Sequence, residues 1–482
     1  MPENEKWQEQ MLAAVGPKGF IRAGDDMAPW LTDWRGRYTG TAAAMLSPAT
    51  TQETSEILRI ANDNTIPVVP QGGNSGMVGG ATPDETGQSI ILSLRRMNRI
   101  RSMAPDDRLV VCEAGVILQN LHDALAEKGQ RFPLTLGGKG SATVGGLIST
   151  NAGGTQVLRH GTMRSLVAGI EAVLPDGSIF DGLAALKKDN RGYDLKQLFV
   201  GGEGTLGVVT AATLKTVPAL VDRCVAWAAV DSTDKAYQLF RFLDSRAPLS
   251  LEGFEIIPAT CLASVLRHIP DTRSPLKGTH RWHVLIEIVR DQTDAQDPRS
   301  VIEALLAVAL ERGLIEDATL ATSEQQAEDF WKIRDSISEA ERANGPAMQH
   351  DISVPVAGMA QFINDAAPVI EAKFPGTKVA AFGHMGDGNV HLHVKAPSGA
   401  QAKIWETEYG NQITPLVHDL VIAAGGSISA EHGIGQSKRT ELERLSSDAR
   451  LTMLRAIKTA VDPKNIMNPG KLVPLASSQS GS

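Results

Sequence analysis

The stretch from Gly383 to Val394, GHMGDGNVHLHV, puts His384, His391 and His393 around a Gly-Asp-Gly-Asn turn. The chain has 482 residues and only 11 histidines, so three at one bend need a reason. His391 and His393 are two apart and share a face if the segment is a strand, and His384 lies just before the turn, able to fold back toward that face. One histidine alone is best read as a local hydrogen-bonding or surface group. Three together favour a metal, because imidazole is a common zinc ligand and a catalytic zinc takes about three protein ligands with one position open. A carboxylate ligand is suggested by SAEHGIG, where Glu431 precedes His432 among glycines. Two imidazoles and one carboxylate form a His₂Glu set with room for substrate.

Such a cluster needs strands to aim it and something to act with. Thr50–Asn64 has helical spacing and leads into the strand-like IPVVP, after which PQGGNSGMVGG brings five glycines in eleven residues. Glycine lets successive N–H groups converge on an anion, and this loop is neither a Rossmann GxGxxG nor a P-loop. Two more glycine-rich stretches follow, LGGKGSATVGGLISTNAGGTQVLRHG and GGEGTLGVVTAATLKTVP, the latter ending at Pro218. Three in one α+β domain point to a large dinucleotide. Beyond Pro218, strands at Arg223–Val230, Leu249–Ile257 and 282–289 alternate with helices at Thr233–Arg246 and before Gly313, which predicts an antiparallel sheet covered on one face. After about residue 400 the pattern is mostly helical. The tail ASSQSGS reads as disordered.

PQGGNSG, GSATVGGLISTNAGG and GGEGTLGVVTAATL resemble the FAD-binding loops of the vanillyl-alcohol oxidase and p-cresol methylhydroxylase (PCMH) superfamily. GHMGDGNVHLHV, SAEHGIGQSKR and MNPGKL are similar to its branch of D-lactate dehydrogenases, the glycolate oxidase D subunit and D-2-hydroxyglutarate dehydrogenases. The resemblance implies an α+β fold: a PCMH-type FAD-binding domain over 1–220, an α/β substrate domain with an antiparallel sheet over 221–400, and a helical region over 401–482 that contributes to the active site. It implies that Pro70, Gly72, Gly73, Asn74, Ser75 and Gly76 wrap the FAD pyrophosphate. Gly137, Ser141, Gly145, Gly146, Thr150, Asn151, Gly153 and Gly154 would line its adenosine and flavin sides, with Glu203, Gly207, Val208 and Asn468 closing around it. The first loop lacks the histidine that many covalent members carry, so noncovalent FAD is expected. His384, His391 and Glu431 become the zinc ligands, with His432 and His393 beside the substrate. The implied reaction is zinc-assisted deprotonation of a D-2-hydroxy acid by His432, with hydride transfer to FAD.

Within FWKIRDSISEAERANGPAMQ, Arg334 and Ser338 are four apart and would share a helix face. By resemblance they meet the distal carboxylate of a diacid such as D-2-hydroxyglutarate, which a planar guanidinium suits. Gln349 stands where those enzymes often carry lysine, and His393 where they often carry asparagine. D-lactate, another D-2-hydroxy acid, or a role as a glycolate oxidase FAD subunit are the alternatives. A zinc hydrolase would leave the glycine loops without a purpose.

A net charge of −8, with no Lys/Arg tract, argues against nucleic acid or an anionic membrane surface as partner. No apolar run reaches the roughly 18 residues of a membrane span. Cys112, Cys224 and Cys261 lie far apart and read as reduced thiols. A cytoplasmic homodimer that passes electrons to an electron-transfer flavoprotein or a quinone is expected.

Overall fold

In the computed structural model, which describes residues 3–293 and 295–475, the spacing after Thr50 becomes the helix Thr51–Asp63. The Thr50 hydroxyl accepts from the Glu53 amide at 3.1 Å, and the Glu53 carboxylate accepts from the Ala49 amide at 2.7 Å. This reciprocal cap sets where the helix starts. The C-terminal tail, 476–482, lies outside the described residues.

The chain divides into two units. The first comprises Met1–Gly154, Gly161–Val217 and Glu431–Ser482, and the second Thr155–His160 and Pro218–Ala430. Of the region after residue 400, the helix Ala402–Ala423 thus falls in the second unit and the chain from Glu431 onward in the first.

The first unit holds a four-stranded sheet in the order Phe20–Arg22, Ala44–Leu46, Ile90–Ser93, Val68–Gln71, whose last three strands run parallel. Its second sheet is antiparallel and five-stranded: Ile100–Ala104, Leu109–Glu113, Val208–Lys215, Val167–Val173, Ile179–Gly182. The first glycine loop leaves the carboxyl end of the parallel strand Val68–Gln71, the end at which open α/β sheets present loops to ligands. The C-terminal segment is stitched into this sheet, since Val68 N–H donates to Ile466 O and Asn468 N–H to Val68 O, both at 2.8 Å.

A buried ion pair anchors that segment. Lys458 Nζ lies 2.5 Å from Asp462 and also donates to the carbonyls of Thr205 and Met467, while Asp462 accepts from the amides of Ile466 and Met467. Burial lowers the Lys458 pKa, and Asp462 opposes that shift.

The second unit is built on a seven-stranded sheet, antiparallel throughout. Its order is Asp317–Leu320, Asp222–Val230, Trp282–Arg290, Leu251–Pro258, Lys378–His384, Asn389–Lys395, Ala347–Ser353. Helices cover both of its faces, not one. Thr233–Asp244, Pro298–Glu311, Met359–Lys373 and Ala402–Ala423 pack on one face, and Ala259–His268, Glu324–Asp335 and Ile337–Ala343 on the other. The two-sided burial was hidden because polar members of the central strands are paired inside. His283 accepts from the Trp227 indole N–H at 3.1 Å, and Glu287 meets Arg223 at 3.0 Å. Burial pushes the Glu287 carboxyl up to about 7 although Arg223 opposes it.

Replacing Lys458 with Met leaves Asp462 buried without its cation. Denaturant unfolding should report a loss of about 3–5 kcal/mol for the unit containing it. An unchanged midpoint would mean that the two backbone amides alone satisfy Asp462.

Candidate functional site

Each unit contributes its own set of polar groups. In the first unit, Gly72 and Gly73 exist because the loop presses on its neighbour. A Cβ on Gly73 would sit 1.7 Å from Ser141 O, and one on Gly72 2.3 Å from Thr143 Oγ1. Gly76 and Gly137 instead have open space where a side chain would go. Asn74 is left-handed (φ 51°), and its amide side chain donates to Thr32 O at 2.9 Å. From Gly72 to Gly76 no backbone N–H donates to another described residue. Gln71 Oε1, Thr143 Oγ1 and Asn468 Oδ1 are buried acceptors with no protein donor among the described residues. Amides free to converge on anionic oxygens, with acceptors for N–H and O–H groups beside them, fit a dinucleotide such as FAD.

The remaining glycine-loop residues have mixed duties. Gly145 and Gly146 lie in the helix Val144–Thr150, Gly145 against Ala114, and the Thr150 hydroxyl bonds back to Gly146 O at 3.0 Å. Asn151 caps that helix in the left-handed region, and its Oδ1 accepts from the Arg164 amide. Ser141 bonds within its own turn, to Gly138 O at 3.4 Å. Gly153 and Gly154 follow, a Cβ on the latter meeting Thr135 O at 2.3 Å. Gly207 (φ 150°) precedes Val208, which is buried at the start of its strand. Pro70, within the parallel strand Val68–Gln71, lies against Gly204.

Glu203 turns its carboxylate to a remote stretch of backbone. Its carboxylate accepts from the amides of Ile434 and Gly435, both at 2.7 Å. Its own N–H donates to Ser149 O, and its carbonyl accepts from the Asn468 side chain, each at 2.8 Å. Burial raises its pKa, and the two amides and Lys438 pull the other way. Glu203 therefore holds the turn that follows Glu431 and His432.

In the second unit GHMGDGNVHLHV forms a hairpin: His384 ends the strand Lys378–His384, and His391 and His393 lie on Asn389–Lys395. Register places Gln349 beside His393, Asp351 beside His391, and Asn389 beside His384, all on one face of the sheet. The rings of His384 and His391 are 5.6 Å apart, and Phe382 lies against both His391 and His393. Arg334 reaches this face too. Its Nε donates to Glu255 at 3.0 Å and a terminal nitrogen to His384 Nε2 at 2.8 Å. Arg334 and Ser338 do not share one helix. The first helix ends at Asp335, capped by the Ser336 amide, and Ser338 sits exposed on Ile337–Ala343.

Two residues of this face, Glu255 and Asp351, escaped the sequence. Glu255 is buried, and its Oε1 lies 2.5 Å from His384 Nδ1. Burial alone would raise its carboxyl, but Arg334 and His384 bring it down to about 2. Asp351 accepts from the Asn389 amide group at 2.9 Å and lies 3.8 Å from His391 Nδ1. Glu255 belongs to an apolar run, LEGFEIIP, and nothing in its spacing marks a partner for His384, which is 129 positions away.

Residues 42–182 match the FAD binding domain, and residues 221–472 the FAD linked oxidases C-terminal domain. An Arabidopsis thaliana protein named D-2-hydroxyglutarate dehydrogenase, mitochondrial, is 37% identical over 95% of this chain and 80% of its own length. A Bos taurus protein of the same name is 37% identical over 96% of this chain and 82% of its own. A p-cresol methylhydroxylase with substrate bound superposes with a TM-score of 0.72 over 98% of this chain and 97% of that one, at 16% identity. The fold is thus the PCMH-type FAD-binding fold with a mixed α+β second unit. The cytoplasmic expectation is overturned, because the names of both relatives point to mitochondria. Composition could not separate the two compartments: three free, buried cysteines suit either reducing environment. Matched over both of its parts, the chain belongs to the family of FAD-linked oxidases, as an FAD-dependent oxidoreductase related to these D-2-hydroxyglutarate dehydrogenases.

Proposed function

We propose that this protein oxidises D-2-hydroxyglutarate to 2-oxoglutarate with noncovalent FAD and a zinc ion. The observation that carries the reading is the register that lines up His384, His391, His393 and Gln349 on one sheet face, with Arg334 reaching it. The relatives named for that substrate support it.

In this reading His384, His391 and Glu431 would hold zinc, and the 70–76, 137–154 and 203–208 segments with Asn468 would hold FAD. When bound, zinc supplies Lewis acidity toward the substrate hydroxyl, and FAD supplies the acceptor for two electrons and the Cα hydrogen. His432 takes the hydroxyl proton at a ring nitrogen, a role that needs a neutral imidazole near pH 7. Arg334, with Ser338, Gln349 and His393, meets the carboxylates. Its guanidinium is oriented through Nε by Glu255, and a planar fork held in that way binds carboxylate through its terminal nitrogens. Gln349 donates hydrogen bonds without charge, so the diacid's second carboxylate relies on Arg334. The electron acceptor in this reading is an electron-transfer flavoprotein or a quinone.

Chelation should abolish turnover while the yellow colour stays with the protein, and His384→Ala, His391→Ala and Glu431→Ala should each do the same. His432→Asn should retain zinc and FAD yet slow flavin reduction by about 10²–10⁴. Full activity in a protein freed of metal would remove zinc from the reaction.

Arg334→Lys keeps a positive charge near Glu255 but loses the fork. It should lower kcat/KM for D-2-hydroxyglutarate at least about tenfold more than for D-lactate. An equal loss on both substrates would put Arg334 at the carboxylate they share and remove the diacid preference.

A further inference from the structure

Glu255 and His384 are direct neighbours across adjacent antiparallel strands. Two contacts on the His384 ring specify one arrangement of its proton. Arginine carries only donors, so the terminal nitrogen of Arg334 at 2.8 Å from Nε2 requires a lone pair there. An ionised carboxylate only accepts, so Glu255 Oε1 at 2.5 Å from Nδ1 requires a hydrogen there. Both specify the Nδ1–H tautomer, whose Nε2 carries the lone pair; Arg334 occupies that lone pair in this structure and gives it up when Nε2 binds a metal. The second oxygen of Glu255 takes the Nε–H of Arg334 at 3.0 Å. One side chain, about 2% exposed, therefore sets the direction of a proposed metal ligand and of a proposed substrate-binding arginine.

We propose that Glu255 is the positioning residue of this sheet face, fixing the His384 tautomer for metal binding and the Arg334 fork for the substrate carboxylate. Carboxylates that accept the second N–H of a ligating histidine strengthen metal binding, and their loss commonly weakens it by about 10–100-fold. Glu255 would do this for His384 and hold Arg334 at the same time. A purely structural Glu255 would serve only to neutralise Arg334 in a buried place. The two roles differ in what they do to zinc.

The inference rests on the zinc reading above, and Glu255→Gln in the FAD-loaded protein tests it. A glutamine has the same shape but only one acceptor oxygen for the two donors. Chelator competition should show a zinc Kd raised about 10–100-fold with the flavin spectrum unchanged. Saturating zinc should restore kcat while KM for D-2-hydroxyglutarate stays high, since Arg334 remains loosened. A lower melting temperature with wild-type zinc Kd and KM would leave Glu255 a merely structural residue and overturn the proposal. If the variant does not fold, ¹⁵N spectra of the wild-type holoenzyme decide. Protonated Nδ1 on His384 supports the assignment, and protonated Nε2 overturns it. A wild-type protein that binds no zinc retires the zinc reading and this one together. Zinc lost in His384→Ala but held at full affinity in Glu255→Gln retires Glu255 alone.

Discussion

A carboxylate shut away from water must find donors, and Glu203 finds two on a turn 231 and 232 positions further along the chain. The rest of the first unit is arranged around that choice. Because Glu203 is left-handed (φ 49°), its amide can face Ser149 while its carbonyl faces Asn468. Three segments remote in sequence therefore share one residue. Gly433 follows from it as well, since a Cβ there would lie 2.8 Å from the carboxylate. The glycines of SAEHGIG are thus needed for the approach of a charged side chain, as well as for the freedom of a loop.

The second unit handles buried charge in the same manner, through pairing. Arg159 bridges Glu252 and Asp291 at 2.9 and 3.0 Å, and Arg223 meets Glu287, Glu324 and Glu328. Glu255 with Arg334 is the pair that also engages a histidine of the cluster, His384. Removing one member of such a set leaves an uncompensated ion, which costs far more than a surface pair is worth.

What could be read from the sequence was whatever local rules control. The spacing over Thr50–Asn64 announced a helix, the period-two spacing of His391 and His393 announced a shared strand face, and the glycine loops announced a dinucleotide. The break at Ser336 was not legible, because the stretch has a helical composition on both sides and the interruption is a single residue whose own dihedrals stay right-handed. Nor was Glu255, whose meaning comes from strand pairing across 129 residues. Nor could the direction of the Glu203 carboxylate, toward the Ile434 and Gly435 amides, be read, since a family pattern marks a position without saying which way its side chain turns. The second helical layer was hidden for a related reason: His283 and Glu287 look like solvent-facing residues until their partners are known.

The order in which the segments occur carries a consequence for how the protein is made. Its first unit takes strands from before residue 217 and its anchoring pair, Lys458 and Asp462, from near the end. A ribosome emits chain at about 5–20 residues per second, and domains ordinarily fold as they emerge. Here the second unit is entirely synthesised by Ala430, while the first still lacks the strand partner at Ile466–Asn468 and the donors for Glu203. The nucleotide-binding half therefore begins first and finishes last. Its exposed parallel strand must be kept from wrong partners throughout the synthesis of the intervening 213 residues, Pro218–Ala430.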